Sequence, residues 1–297
     1  MKKGFTLIEL VVVLMILALL THLAVREFAK VQQSKLHQFA DKQLEAVRTA
    51  VWQPQISDEP VGFLVDMGRL PISREETNKW GQTVLALSEL WKRPSDIREF
   101  ALRAATESNF VAGVSADLVD SSILIPCGWR GPYLHLPFGR DRLLDPWGNP
   151  METPDDAGFS RLATTNGAAA VVGRAIGIVR HWGSDARPDS VVTPADETAR
   201  DADISLVPGT MDNKLFVTVS FPDSVEGADL SLSWYMPCGG AITGAVVKTT
   251  GVGSSATFIC EGLPPGVCTL VVKETSRRAV ERVVVPPGGR AVQMKIH

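Results

Sequence analysis

Residues 5–53 contain neither proline nor glycine. The two residues that most readily break a helix are therefore missing from the stretch where a long helix would have to be continuous. Basic runs are missing too. Thirty Lys and Arg stand against 33 Asp and Glu, the formal net charge is −3, and no basic face emerges. Nucleic acid is not an expected partner on that ground. No CxxC occurs, and the four cysteines form no Cys/His cluster of zinc spacing. The five histidines (His22, His37, His135, His181, His297) are scattered, with no HExxH and no G-x-S-x-G. Asp155-Asp156 reads as a turn pair more readily than as a catalytic dyad, so no catalytic residue and no enzyme is expected.

What is present is a long apolar run. Lys2–Leu20 reads KKGFTLIELVVVLMILALL, apolar after Gly4 except for Thr6 and Glu9. A charge at membrane depth costs roughly 2.5–3.5 kcal/mol on insertion scales unless it finds a partner. A cleaved secretory signal would close on a small-residue site. Here the run ends at Leu19-Leu20-Thr21-His22 and continues in helical pattern. A plain membrane anchor fits the length of Phe5–Val25, about 20 residues, with Lys2 and Lys3 on the cytoplasmic side. It leaves unexplained both Glu9 and the glycine placed directly before a phenylalanine.

Gly4-Phe5-Thr6-Leu7-Ile8-Glu9 resembles the processing site of the type IV pilin and type II secretion pseudopilin superfamily. The resemblance implies that residues 1–4 are a leader removed by a prepilin peptidase after Gly4, and that the new amine on Phe5 is methylated. It implies that residues 5–25 stay on the mature chain as a transmembrane and filament-core segment. It also implies that Glu9 attracts the terminal amine of a neighbouring subunit. The physics agrees, because an unpaired carboxylate in apolar surroundings is penalised and a subunit that supplies the amine relieves the penalty. The implied partners are other pseudopilin subunits in a heterologous filament, the prepilin peptidase and an inner-membrane assembly platform. The implied location is the bacterial inner membrane, single-pass, with the globular domains in the periplasm.

The helical pattern extends to Trp52. Val25, Phe28, Val31, Leu36, Phe39, Leu44, Val47 and Val51 recur at helical steps and form the stripe expected to pack on a globular domain. The proline that family helices often carry about 20 residues in is absent. Gln53–Pro60 reads as a linker. Phe63, Leu64, Met67 and Leu70 follow as core candidates, with Asp66 and Arg69 placed to pair on the surface at i, i+3. Thr83–Lys92 and Ile97–Glu107 read as further helices.

GWRGPYL (residues 128–134) and DPWGNP (residues 145–150) look like the loop and first strand turn of major-pseudopilin-type domains. Asp145-Pro146 pre-sets a type I turn, Gly148 and Asn149 tolerate positive φ, and Trp147 supplies an apolar anchor. Candidate strands follow at Phe159–Thr164 and Ala175–Arg180. In the family the sheet leads to an acidic loop that binds calcium. Asp185 and Asp203 match its ligand positions best, with Asp189 and Asp201 as secondary candidates. The chain departs from the family at Ala186, at Arg187 and in the insertion Ser190–Arg200, so a solvated acidic loop held by turns stands beside the calcium site.

Beyond Val207-Pro208-Gly209 the pattern changes to period two. Seven short strands read at Leu215–Phe221, Leu230–Trp234, Ala241–Thr249, Ala256–Cys260, Val267–Lys273, Val280–Val285 and Ala291–Ile296, which indicates a β-sandwich. Residues 258–266 resemble a hairpin of carboxypeptidase-regulatory-like, transthyretin-type sandwiches. A periplasmic chain would oxidise its cysteines. Cys127, Cys238, Cys260 and Cys268 allow three pairings, among them a staple of Cys260 to Cys268 across the Leu263–Gly266 turn. The expected fold is α+β: the N-terminal helix (5–52) on a small antiparallel sheet in a pseudopilin domain (53–208), then a separate all-β sandwich (213–297). The expected role is a structural subunit, minor or accessory, of a filament that supports protein secretion. The alternative is an adhesin-like pilin whose sandwich grips a surface glycan or a secreted substrate through Trp234 and Tyr235.

Overall fold

A computed structural model describes residues 7–53, 60–77, 83–140, 142–149, 151, 174–175, 178–181, 202–206, 213–221, 229–250, 254–274 and 277–296. The stretch without helix breakers forms one helix, α1 (Leu7–Val51, 45 residues), about 68 Å long at roughly 1.5 Å per residue. The chain divides into two compact units. One is Met1–Gln43, Leu144–Pro150 and His181–Ala202; the other is Leu44–Leu143, Met151–Arg180 and Asp203–His297.

Within the second unit, the last turns of α1 bury Leu44, Val47, Ala50 and Val51. The chain then reverses, with Gln53 and Val61 exchanging two backbone hydrogen bonds of 2.9 and 3.1 Å. A single helical turn follows, α2 (Phe63–Met67), all five of its residues buried. Its C-terminal carbonyls are closed by three glycine N–H groups. Gly68 donates to Leu64 (2.8 Å), Gly128 to Asp66 (3.2 Å) and Gly239 to Met67 (2.8 Å). Gly68 sits in the left-handed region at φ +62°, and a Cβ there would collide with the Pro237 carbonyl.

The strands are, in chain order, β1 (Ile72–Thr77), β2 (Thr83–Ala86), β3 (Ala101–Ala105), β4 (Asp120–Cys127), β5 (Arg174–Ala175), β6 (Ile178–His181), β7 (Ala202–Ser205), β8 (Asn213–Ser220), β9 (Asp229–Cys238), β10 (Ala241–Thr250), β11 (Ser255–Leu263), β12 (Gly266–Lys273), β13 (Arg278–Val285) and β14 (Arg290–Lys295). Two expected helices are corrected here. Thr83–Ala86 instead pairs with β1 in the order β2-β1-β5, and Ser88–Leu90 makes one 3-10 turn. Ala101–Ala105 pairs antiparallel with β4, Ala101 opposite Cys127 and Ala104 opposite Leu124. Ala, Leu and Arg favour helix in isolation, but pairing with β4, whose residues are alternately buried, outweighs a preference of a few tenths of a kcal/mol per residue. The strand expected at Phe159–Thr164 lies outside the described residues.

All seven strands expected in the C-terminal part are present, as β8–β14. They form a four-stranded sheet, β10-β9-β12-β13, and a three-stranded sheet, β11-β8-β14, in which β14 runs parallel to β8. One core lies between the sheets, built from Leu215, Val217, Phe258, Leu270, Val283 and their neighbours. A second core lies on the other face of the four-stranded sheet, where Tyr235, Ile242 and Val271 meet Ala105, Leu118, Ile123, Ile125 and Cys127 of the β3–β4 segment. Burial on both faces is why β12 reads as a nearly continuous apolar run. Tyr235 is fully buried, its hydroxyl donating to Leu118 O at 3.1 Å. It therefore lies in the core and not on a binding surface.

A polar cluster fastens the rim of that second core. The Asp120 carboxylate accepts from Ser122 Oγ (2.6 Å) and N (3.1 Å), and pairs with Lys273 Nζ and Arg278 Nη2, each at 3.2 Å. Burial alone would raise the Asp120 pKa. The hydrogen bonds from Ser122 and Lys273 and the charge of Arg278 outweigh it and hold the group below its ordinary value.

Two outcomes are expected. Gly68→Ala loses at least about 3 kcal/mol of stability in chemical denaturation, from left-handed strain plus a backbone collision. Gly113→Ala, at φ +85° with open space around it, loses only about 1 kcal/mol. For Asp120, a lowered folded-state pKa means a contribution complete above the ordinary Asp value and lost as pH falls through the lowered one. Denaturation midpoints followed from pH 6 to about pH 2 drop less steeply for Asp120→Asn than for the unaltered chain, and the variant is less stable at pH 6 by about 1 kcal/mol.

Candidate assembly surface

The first half of α1 has an unusual surface. Every described residue from Leu7 to Gln32 is exposed, including Leu7 (81%), Met15 (69%), Val25 (64%) and Phe28 (71%). The helix contains a span long and apolar enough to cross a membrane, and none of that span is buried. Glu9 lies on this surface, in the first turn. Gly4 and Phe5 lie outside the described residues. The polar residues that follow are accommodated locally. Thr21 Oγ1 donates back to Leu17 O at 2.7 Å, and Glu27–Lys30 and Glu45–Arg48 pair at i, i+3 on the outer face.

The expected apolar stripe divides in two. Leu44, Val47 and Val51 are buried and Leu36 is half-buried, while Val25, Phe28, Val31 and Phe39 remain exposed. The packed part includes a contact inside the first unit. The DPWGNP turn is closed by Asp145, whose Oδ1 accepts from Trp147 N (3.0 Å) and Asn149 N (2.7 Å), and whose backbone bonds to Asn149 and Gly148. Gly148 takes φ +94°. The turn presents Trp147 edge-on to His37 of α1, ring centroids 4.7 Å apart.

Behind the helix terminus, GWRGPYL forms a hub inside the second unit. Trp129 Nε1 donates to Glu89 O at 2.7 Å, and the backbones of Tyr133 and Leu134 both donate to Leu90 O. Arg130 reaches the buried Asp66 with Nε at 3.0 Å and with Nη2, stacks on Phe100 at 4.3 Å, and is joined there by Tyr133 Oη at 2.9 Å. Burial, and then the Asp66 charge, push the Tyr133 hydroxyl pKa well up, so it stays protonated as a donor. The Asp66–Arg69 surface pair expected at i, i+3 does not form, because α2 ends at Gly68 and Arg69 lies beyond the helix. Arg69 instead makes a bidentate pair with the fully buried Glu89 (2.8 and 3.0 Å), whose Oε2 also accepts from Ile72 N. Nothing local announces either pair: the partners are 64 and 20 positions apart.

Two further expectations meet the structure here. All four cysteines are free, which corrects the expected disulfides. Cys260 and Cys268 cannot staple a hairpin of paired strands, because β11 joins the β8 sheet and β12 joins the β9 sheet. Both thiols face the core. Burial pushes Cys260 up to about 11 and Cys268 higher still, and it raises Cys127 and Cys238 as well, which suppresses thiolate chemistry. For calcium, Asp185, Asp189 and Asp201 lie outside the described residues, and Asp203 is described only as part of β7. Among the described residues no three His, Cys, Asp or Glu gather as a metal site.

The hub should behave as one coupled unit built on the buried Asp66 and the half-exposed Arg130. Tyr133→Phe costs about 1 kcal/mol and Asp66→Asn about 1–2 kcal/mol, since the half-exposed Arg130 keeps water when its partner is lost. A double-mutant cycle between them in urea shows coupling above roughly 0.5 kcal/mol; strictly additive losses would contradict the shared contact.

Residues 1–25 match the family described as the prokaryotic N-terminal methylation motif. No curated protein matches the chain. The motif is type IV pilin-like, and the helix behind it is the one helix among the described residues that is long and apolar enough to cross a membrane, which suggests a membrane-anchored chain. They imply processing by a prepilin peptidase and assembly with other pilin subunits.

Proposed function

We propose that the chain is a minor or accessory pseudopilin, a structural subunit of a type II secretion or type IV pilus-like filament drawn from the bacterial inner membrane, with its β-rich part in the periplasm. One observation carries the reading: the methylation motif runs without a break into a helix whose apolar first half is unburied in the single chain. An apolar surface of that size needs lipid before assembly and other subunits after it. The exposed Phe28, Val31 and Phe39 continue the same surface past the membrane segment. They give each subunit a face for its neighbours in a contact that propagates rather than closes.

In this reading Gly4 and Phe5 flank the cut, and Glu9 receives the amine that the cut exposes. The minor or accessory role rests on bulk, because a large β-rich module on every subunit is costly to accommodate round a filament. Asp185, Asp189, Asp201 and Asp203 remain proposed calcium ligands on their donor chemistry, hard carboxylate oxygens suited to a hard cation. The C-terminal strands remain a proposed transthyretin-type module.

Mass spectrometry of the membrane-extracted protein tests the processing on which the role depends. The expected mature chain begins at N-methylated Phe5 and is found in the sheared-filament fraction. An intact Met1, or a cut after the apolar run, overturns the reading.

A further inference from the structure

The four-stranded sheet has one edge that the chain begins to cover and then leaves. β10 is the outer strand, held along its whole length by β9 from Ala241 opposite Cys238 to Thr250 opposite Asp229. On its other side Phe110 bridges Ile242 in parallel, and Val111 N donates to Ile242 O at 2.9 Å. A strand has started there, and it stops at once. Ala112 and Gly113 turn into solvent, Gly113 at φ +85°. The chain touches β10 again at Asp117, which pairs with Lys248 at 3.4 Å. Between this loop and the strand lies an open groove of about 540 Å³.

Ile242 shows which backbone groups face the groove. Its carbonyl points away from β9, towards Val111. The register with β9 is unbroken, so the period-two alternation of a strand turns the N–H and C=O of Gly244 and Val246 the same way. Among the described residues no backbone group pairs with them on that side. Thr243–Val247 carries neither a charge nor a proline, two devices that commonly protect a sheet edge. The charged residues at the groove, Asp117 and Lys248, are already paired with each other, so charge does not select the occupant.

Alternating donors and acceptors at strand spacing are complementary to another extended backbone. Two features narrow the choice. The loop stands beside the edge and returns to it at Lys248, so the edge of a second folded sheet, β10 of another copy included, meets the loop before it meets the strand. A segment with both of its own edges free fits between them. The lining contributed by Ala112, Gly113 and Ala245 is small, which suits short uncharged side chains.

We propose that this groove takes up, by strand addition, a free extended segment of another protein, held through the backbone of Gly244 and Val246. The proposal goes beyond assembly through α1 and does not depend on it. It gives the β-rich part a recognition role read through main chain, with a polypeptide as the partner.

The test uses the full chain, ¹⁵N-labelled in detergent micelles, with acetyl-Thr-Val-Ala-Val-Thr-amide and the same peptide N-methylated at its three central amides. The plain peptide is expected to shift the Gly244 and Val246 amide signals saturably and to slow their exchange with D₂O at least about tenfold. The methylated peptide, with the same side chains and both edges blocked, is expected to do neither. Val246→Pro removes one outward N–H at a position where an edge strand accepts proline, and should weaken the plain peptide at least about fivefold. Should that variant not fold, the pair of peptides on the unaltered chain decides. No saturable shift at these amides, equal binding of the methylated peptide, or a folded Val246→Pro that binds as before overturns the proposal. So does slow exchange at Gly244 and Val246 that grows with protein concentration in the absence of peptide, which would assign the edge to a second copy.

Discussion

A carboxylate set among oily side chains is the constraint to which the rest of the chain answers. From Leu7 to Gln32 the helix surface is exposed, and Glu9 lies in its first turn. Neither water nor lipid suits both. Water leaves the apolar span Leu7–Val25 exposed, and lipid disfavours a charge at membrane depth. Membrane residence followed by assembly with like helices meets both demands, provided that a cation comes with the neighbour. The terminal amine of a processed subunit is such a cation.

The other end of the helix is held differently. There the apolar stripe is spent on the chain's own second unit, and Ala50 and Val51 pack where Gly62 leaves no room for a side chain: a Cβ on Gly62 would lie 2.6 Å from Val51 O. Around α2 the burial of charge is thorough. Asp66, Arg69 and Glu89 all lose water, and each is compensated by a directed partner. Such pairs add little net stability over apolar packing. They penalise any alternative arrangement heavily, so they fix one geometry of the loops behind the helix.

Legibility in the sequence followed the range of the interaction. The continuous helix was visible because breakers are absent over residues 5–53, and β8–β14 were visible because period-two alternation and Gly/Pro turns are local signals. The closing of the DPWGNP turn by Asp145 was readable for the same reason. β3 was misread as helix because Ala, Leu and Arg carry helical preference until β4 supplies a partner. The apolar run Ile123-Leu124-Ile125 in β4, with its β-branched isoleucines, is the available clue. The Asp66–Arg130–Tyr133 hub left no local trace, because its members are far apart in the chain and GWRGPYL names only half of it. The Cys260–Cys268 staple failed on a topological point that spacing cannot reveal: consecutive strands went to different sheets.

The most direct measurement compares recovery in the sheared-filament fraction for Glu9→Gln and the unaltered chain, after mass spectrometry has shown that both are processed at the same site. Glutamine keeps the size and removes the charge. The account predicts that the variant reaches the membrane in normal amount and enters the filament at least about tenfold less. Equal entry of the two chains would contradict it.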